Sequence, residues 1–188
     1  KLLLVGLAVL CVSSAITQDT KPSLLVTVSY RLANNTVPSV SIFTKVKINK
    51  KFIELRYQLL PFLYTEFYKA STTGIPIMRP LMLEFPNDKE TYNNDTQFMV
   101  GENILVSPIL EQGATSRSLY LPEGEWYDFW TKEKIAGGKS ITVQAPIDNM
   151  PIHIKAGAII PMQQIVQYTD EEPIDPMTFE IYSSSQAK

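Results

Sequence analysis

The chain has 188 residues, 45% hydrophobic and 19% charged, with 17 basic against 19 acidic side chains and a pI near 5.5. That is apolar surface for one globular domain to one and a half; it excludes a disordered tail and leaves no basic surplus for nucleic acid or an anionic membrane. One Cys and one His build neither a thiolate-rich zinc site nor a disulfide framework, so no metal and no cofactor are expected.

Lys1 is followed by an apolar run from Leu2 to Val12 and then by Ser13, Ser14 and Ala15. A positive start, a core of roughly 7–15 apolar residues and small residues two apart describe a secretory signal peptide over 1–15, cut after Ala15. The alternative, a membrane anchor, needs about 20 apolar residues. Cleavage removes Cys11, so the expected product has no cysteine and no membrane span. It is secreted or held in the secretory pathway, endomembrane and lysosomal destinations included. Residues 16–50 form an unassigned segment in which 23–30 and 39–44 alternate enough for two strands, with Asn34-Asn35-Thr36 as their turn. Asn34 is a glycosylation acceptor by the Asn-x-Thr rule, which implies a surface loop. Lys45, Lys47, Lys50 and Lys51 read as a solvated face or linker.

The spacing of Leu55, Leu59, Phe62 and Phe67 predicts a helix over 52–70, stopped by Gly74. Pro61 lacks a donor and crowds the preceding turn, so a kink or a fresh helix is expected there. Tyr57, Leu60, Tyr64 and Tyr68 make the other side apolar too, which predicts burial nearly all round; an aromatic sugar-stacking face is the alternative. Residues 74–86 read as a buried strand, which Pro76 and Pro80 confine to a short or edge position. The polar loop 87–96 follows, with Asn94-Asp95-Thr96 as a second sequon.

From there the spacing is β. Runs at 97–100, 104–110, 116–121, 125–130, 140–144 and 150–155 are separated by turns at 111–113, 122–124, 137–138 and 148–149, which suggests a sandwich closed by 156–163. The tail 166–188 is read as the start of a further strand region.

Met78-Arg79-Pro80-Leu81, Glu84-Phe85-Pro86-Asn87-Asp88, Gln97-Phe98-Met99-Val100-Gly101, Leu105-Val106-Ser107-Pro108, Pro122-Glu123-Gly124-Glu125-Trp126-Tyr127-Asp128 and His153-Ile154-Lys155-Ala156-Gly157 follow Arg56-Tyr57-Gln58-Leu59-Leu60-Pro61 in an order that resembles the distal part of glycoside hydrolase family 31. That family includes α-glucosidases, which hydrolyse O-glycosyl bonds in carbohydrate metabolism. The resemblance spans about 51–165. It implies a mainly β chain, with 51–96 as the last helix and strand of a (β/α)8 barrel and 97–165 as the β-sandwich that follows. It also implies an absence. Retaining glycosidases hold two carboxyl groups roughly 5–5.5 Å apart on separate barrel strands, and the family's catalytic motifs lie upstream of the helix. Nothing before Phe52 resembles them, so no catalytic residue is carried over.

Glu84, Asp88, Asp95, Glu125 and Asp128 are acids by type, each more simply explained as a solvated or hydrogen-bonded carboxylate. His153, between Ile152 and Ile154, reads as structural. Trp126 and Trp130 are the candidates for sugar stacking, with a role in the sandwich core as the alternative. Without parallel neighbours, Ile77, Leu81 and Leu83 are expected to lie uncovered, which would make the barrel fragment associate. The expectation is therefore a secreted, truncated α-glucosidase-like protein, inactive by itself. The alternatives are a secreted carbohydrate- or protein-binding module, and part of an active α-glucosidase.

Overall fold

The computed structural model describes residues 42–169 and 171–185. The signal peptide, the strand over 23–30 and Asn34 lie outside the described residues.

Two helices come first, α1 (Ile42–Gln58) and α2 (Leu60–Thr73). Residues 42–44, expected to extend a strand, are helical. The alternation of Val46 and Ile48 with lysines suits period 2, but Lys is a good helix former, and Lys50 and Glu54 pair across one turn at 3.5 Å. The chain restarts at Leu60 with Pro61 in the first turn of α2, where a missing donor is harmless. The Gln58 carbonyl just before the break accepts the Gln163 N–H at 2.9 Å, tying the restart to the sheet region. Gly74 ends α2 in the left-handed region, at φ 75°, and its N–H returns to the Ala70 carbonyl.

Next come β1 (Met78–Arg79), the short helix α3 (Leu81–Glu84), a 3-10 turn at Lys89–Thr91, and then nine strands. These are β2 (Phe98–Val100), β3 (Ile104–Val106), β4 (Ser116–Leu121), β5 (Glu125–Asp128), β6 (Lys134–Ala136), β7 (Lys139–Gln144), β8 (Ile152–Lys155), β9 (Ile159–Met162) and β10 (Thr178–Ile181). A six-stranded antiparallel sheet runs β1-β2-β3-β8-β5-β6, while β4 pairs with β7 and β9 with β10.

Side-chain alternation sends the six-stranded sheet into two cores. Val100, Ile104, Val106, Ile152 and Ile154 pack with Phe62, Leu63, Ile160 and Met162. Met99, Leu105 and Trp126 pack on the other side with Leu81, Leu119 and Leu121. A sheet covered on both faces wants continuous apolar strands, which accounts for β3, where all three residues of Ile104–Val106 are buried. The β4–β7 pair, buried on one face only, keeps the alternating pattern.

Several expectations are corrected by local chemistry. The strand over 74–86 shrinks to Met78–Arg79, because Pro80 is extended at φ −63°, ψ 149° and starts α3. That strand pairs antiparallel with β2, so the sheet reaches back past Gln97. Leu81 is fully buried and Ile77 packs against the first core, so neither is left uncovered; Leu83 is exposed. β3 stops at Val106, ahead of Ser107-Pro108. β5 stops at Asp128, whose Oδ1 accepts the N–H groups of Trp130 and Thr131 at 2.8 and 2.7 Å and folds a turn. The tail supplies β10, paired with β9.

Helix α2 is not buried all round. Phe62, Leu63 and Glu66 are buried, while Tyr64, Phe67 and Tyr68 are 79%, 60% and 66% exposed. Among the described residues the helix packs through its Phe62, Leu63 and Glu66 side against α1, β9 and the Arg79 cluster. Its outer face is an aromatic stripe at i, i+3 and i+4.

Candidate functional site

Trp126 is fully buried and donates Nε1–H to the Pro122 carbonyl at 2.8 Å. Phe85 lies 6.1 Å away in a tilted arrangement, and a side chain at Gly137 would come within 3.0 Å of the indole. Trp126 therefore has no ring face for a sugar: its place on the inward side of β5 makes it core. Trp130 is half-buried, donates Nε1–H to the Met150 carbonyl, and meets Phe129 and Phe52 edge-on at 5.0 and 6.2 Å. The Lys51 ammonium stands 4.1 Å over its ring and also donates to the Asp148 carbonyl. Trp130 thus joins α1 to the sandwich, with one face already taken by a cation.

The acids are spread over structural duties. Glu84 binds Arg79. Asp88 accepts the Glu90 N–H at 3.1 Å and the Tyr120 hydroxyl at 2.7 Å; desolvation, followed by that carboxylate, pushes the Tyr120 phenol up to about 12. Glu125 accepts from the Ser185 hydroxyl and N–H and pairs with Lys134 at 2.9 Å, and these contacts hold its carboxyl down at about 2. Asp128 is the turn acceptor already described, and Asp95 is exposed. None of the five lines either of two clefts found on the described surface.

His153 is fully buried, and neither ring nitrogen has a partner among the described residues. Burial pushes its pKa below 6.5, against a smaller opposing pull from Asp128. The folded state therefore resists the proton that the unfolded chain accepts, so stability present above about pH 6.5 is lost as the pH falls. Between the two pKa values, urea unfolding should show a slope approaching about 1.4 kcal/mol per pH unit from this one group. In His153→Phe that slope should vanish. An unchanged acid limb in the variant would mean that other groups govern it.

Sequence reasoning missed one cluster. Glu66 and Arg79 are 2% and 4% exposed, with Arg79 Nη2 3.3 Å from Glu66 Oε2 and its Nη1 on Glu84. Lys69 reaches Glu66 at 2.8 Å, and Arg79 Nε–H donates to the Pro76 carbonyl. Gly101 sits at φ 61°, and a Cβ there would lie 2.6 Å from the Glu66 carboxyl. The cluster locks α2, β1, α3 and the β2–β3 turn together. Its only sequence signal was a charged residue between two prolines.

One cleft, of about 270 Å³, is lined by Tyr127, Lys132, Glu180, Ile181 and Tyr182. Lys132 Nζ donates to Glu180 at 2.7 Å and to the Tyr182 oxygen at 2.8 Å, and lies 4.5 Å over Phe129. The Tyr182 hydroxyl donates to Glu180, and Tyr127 donates to the Ser183 carbonyl. Lys132, Glu180 and Tyr182 thus bind one another, and Tyr127 is held by Ser183. At the second sequon, Asn94 is half-buried; its Oδ1 accepts the Thr96 N–H and hydroxyl at 3.3 Å each, and its Nδ2 donates to Gln97 at 2.9 Å. Among the described residues no group of His, Cys, Asp and Glu is placed to hold a metal, and no helix is long and apolar enough to cross a membrane.

Residues 74–160 match the glycosyl hydrolase family 31 C-terminal domain. The chain is 43% identical over 142 residues to α-glucosidase 2 of Bacillus thermoamyloliquefaciens, covering 76% of this chain and 18% of that protein. A probable α-glucosidase of Oryza sativa is 48% identical over 118 residues, covering 61% and 13%. Among solved structures, a family 31 dextranase of Flavobacterium johnsoniae in complex with isomaltotriose superposes with a TM-score of 0.74 at 48% identity, over 76% of this chain and 18% of that one. The chain spans less than a fifth of the length of these relatives. With its two-core sheet and the matching segment coinciding, the chain belongs to glycoside hydrolase family 31, of which it comprises the distal region from the end of the barrel into the C-terminal β-sandwich.

Proposed function

We propose that this chain serves as the distal part of a longer α-glucosidase-type glycosidase of the secretory pathway and turns over no glycoside by itself. The observation that carries this reading is the open aromatic stripe Tyr64, Phe67 and Tyr68 on α2, together with exposed Met78, Met82 and Leu83. An apolar surface of this kind marks a contact face rather than a finished exterior, and its aromatic part lies on the helix that resembles the end of a barrel. The relatives, more than five times longer than the segment they share with this chain, supply a natural source for the missing cover. In this reading Asn34 and Asn94 carry glycans, and neither nucleic acid nor a membrane span is involved.

The purified chain should show no turnover of a chromogenic α-glucoside. Turnover that disappears on changing Glu84, Asp88 or Asp128 would overturn the proposal. A barrel reading frame directly upstream at the locus would support it.

The exposed Tyr64, Phe67 and Tyr68 rings also favour a second reading, a secreted module that holds a carbohydrate or protein partner on α2. Retention on a dextran column, lost in Tyr64→Ala with Tyr68→Ala, would favour that reading instead.

A further inference from the structure

The cleft of about 270 Å³ lies between the turn after β5 and strand β10, lined by Tyr127, Lys132, Glu180, Ile181 and Tyr182. Lys132 is the one residue other than glycine, among the described residues, that holds a positive φ, at 61°. Glycine or asparagine takes that conformation at lower cost, so the turn bears backbone strain at a position whose side chain reaches into a cleft.

The hydrogen bonds of that side chain leave valences open. Lys132 Nζ donates to Glu180 Oε2 at 2.7 Å and to the Tyr182 oxygen at 2.8 Å. An ammonium has three donors, and the third meets at best the Phe129 ring, 4.5 Å from Nζ, a weaker acceptor than an oxygen. Glu180 takes both its contacts on Oε2, which leaves Oε1 to accept. The Tyr182 hydroxyl accepts from Lys132 and donates to Glu180, so it braces the pair and has nothing left for a ligand. Both charged side chains are accessible, at 47% and 30% exposed. Ile181 turns its side chain outward opposite Ile159. Because the Tyr182 N–H bonds the Ala158 carbonyl, ladder alternation points the Ile181 N–H and C=O away from β9.

A group that fits here must accept from the ammonium and donate to the carboxylate beside it. Two adjacent hydroxyls do both, whereas Glu180 repels an anion and Lys132 a cation. The Tyr127 ring, half-buried and meeting Tyr182 edge-on at 5.5 Å, adds an apolar wall. The volume falls just below the roughly 300–1,000 Å³ of ordinary ligand pockets, which limits the occupant to a single ring.

We propose that this cleft binds one polyhydroxylated ring, its vicinal diol set between Lys132 Nζ and Glu180 Oε1 and its C–H surface against Tyr127. The site is separate from the aromatic face of α2 and does not depend on the glycosidase reading.

The test follows amide resonances of the full chain while methyl α-D-glucopyranoside is added, with cyclohexanol and sodium acetate in parallel. The glucoside should shift the Lys132, Glu180 and Ile181 amides with half-saturation of about 1–10 mM, in keeping with so few atoms. Cyclohexanol, a ring with one hydroxyl, and acetate should bind at least about tenfold more weakly. Lys132→Gly should weaken the glucoside response at least about tenfold, while the thermal midpoint stays within a few degrees because glycine accepts the left-handed backbone. Glu180→Gln should weaken it several-fold, through loss of charge on the acceptor. The proposal is overturned if the glucoside shifts none of these amides, if cyclohexanol or acetate binds as tightly, or if both variants leave the response intact. Glucoside shifts confined to α2 would overturn it too, and would favour a sugar face on that helix instead.

Discussion

Replacing Trp126 with Ala should destabilise the fold by about 3–5 kcal/mol, the range for emptying a buried indole site. The ring is fully enclosed in the second core with Leu81, Met99, Leu105, Leu119 and Leu121. Its removal also strands the Pro122 carbonyl, to which Nε1–H donates. Small domains have only about 5–15 kcal/mol in total, so the variant should unfold at much lower urea or express poorly. Trp126→Phe keeps most of the apolar volume and should cost distinctly less. If Trp126→Ala cost under about 1 kcal/mol by urea unfolding, the ring would not be a core element, and a carbohydrate-facing role would return.

The second large effect is expected at Arg79. Arg79→Met leaves the Glu66 carboxylate almost wholly buried, with Lys69 as its remaining cation; the Lys69 side chain is 40% exposed. Removing one partner of a buried pair costs about 3–5 kcal/mol, and the surviving lysine places this case at the lower end. The double variant Glu66→Met with Arg79→Met should recover most of the loss, since the penalty belongs to the stranded charge rather than to the missing attraction. Urea unfolding of the two single variants and the double variant closes the cycle. Additive losses would show that Glu66 and Arg79 act independently and that the cluster is not a unit.

Much of the architecture was legible because it rests on local rules. Pro61 signalled the helix restart, and the short runs between glycine- and proline-bearing turns signalled most of the strands. Where expectation failed, a nonlocal partner was responsible. The prolines around Met78–Arg79 rightly predicted a short edge strand, but not its partner, since β2 lies some twenty residues away. The helix over 52–70 looked buried all round because aromatic residues occupy both faces, and only the structure showed Tyr64, Phe67 and Tyr68 to be open. The site residues follow the same division. His153 was read from its isoleucine neighbours as structural and lies fully buried, whereas Trp126 and Trp130 were ambiguous until their hydrogen bonds and ring contacts were seen. Arg117 drew no notice, since an arginine in an alternating strand is commonplace until its place on the side of Leu119 and Leu121, and an Nη1 with no acceptor among the described residues, are known.

By itself the sequence determined the mainly β class and the family resemblance, because turn chemistry, periodicity and ordered motifs are properties of neighbouring residues. The tertiary structure alone decided which aromatic rings are core and which are open, and which acids are tied down. Those outcomes depend on which distant strands and helices come together, and burial, the quantity that sets the cost of a charge or the use of a ring, exists only once they have.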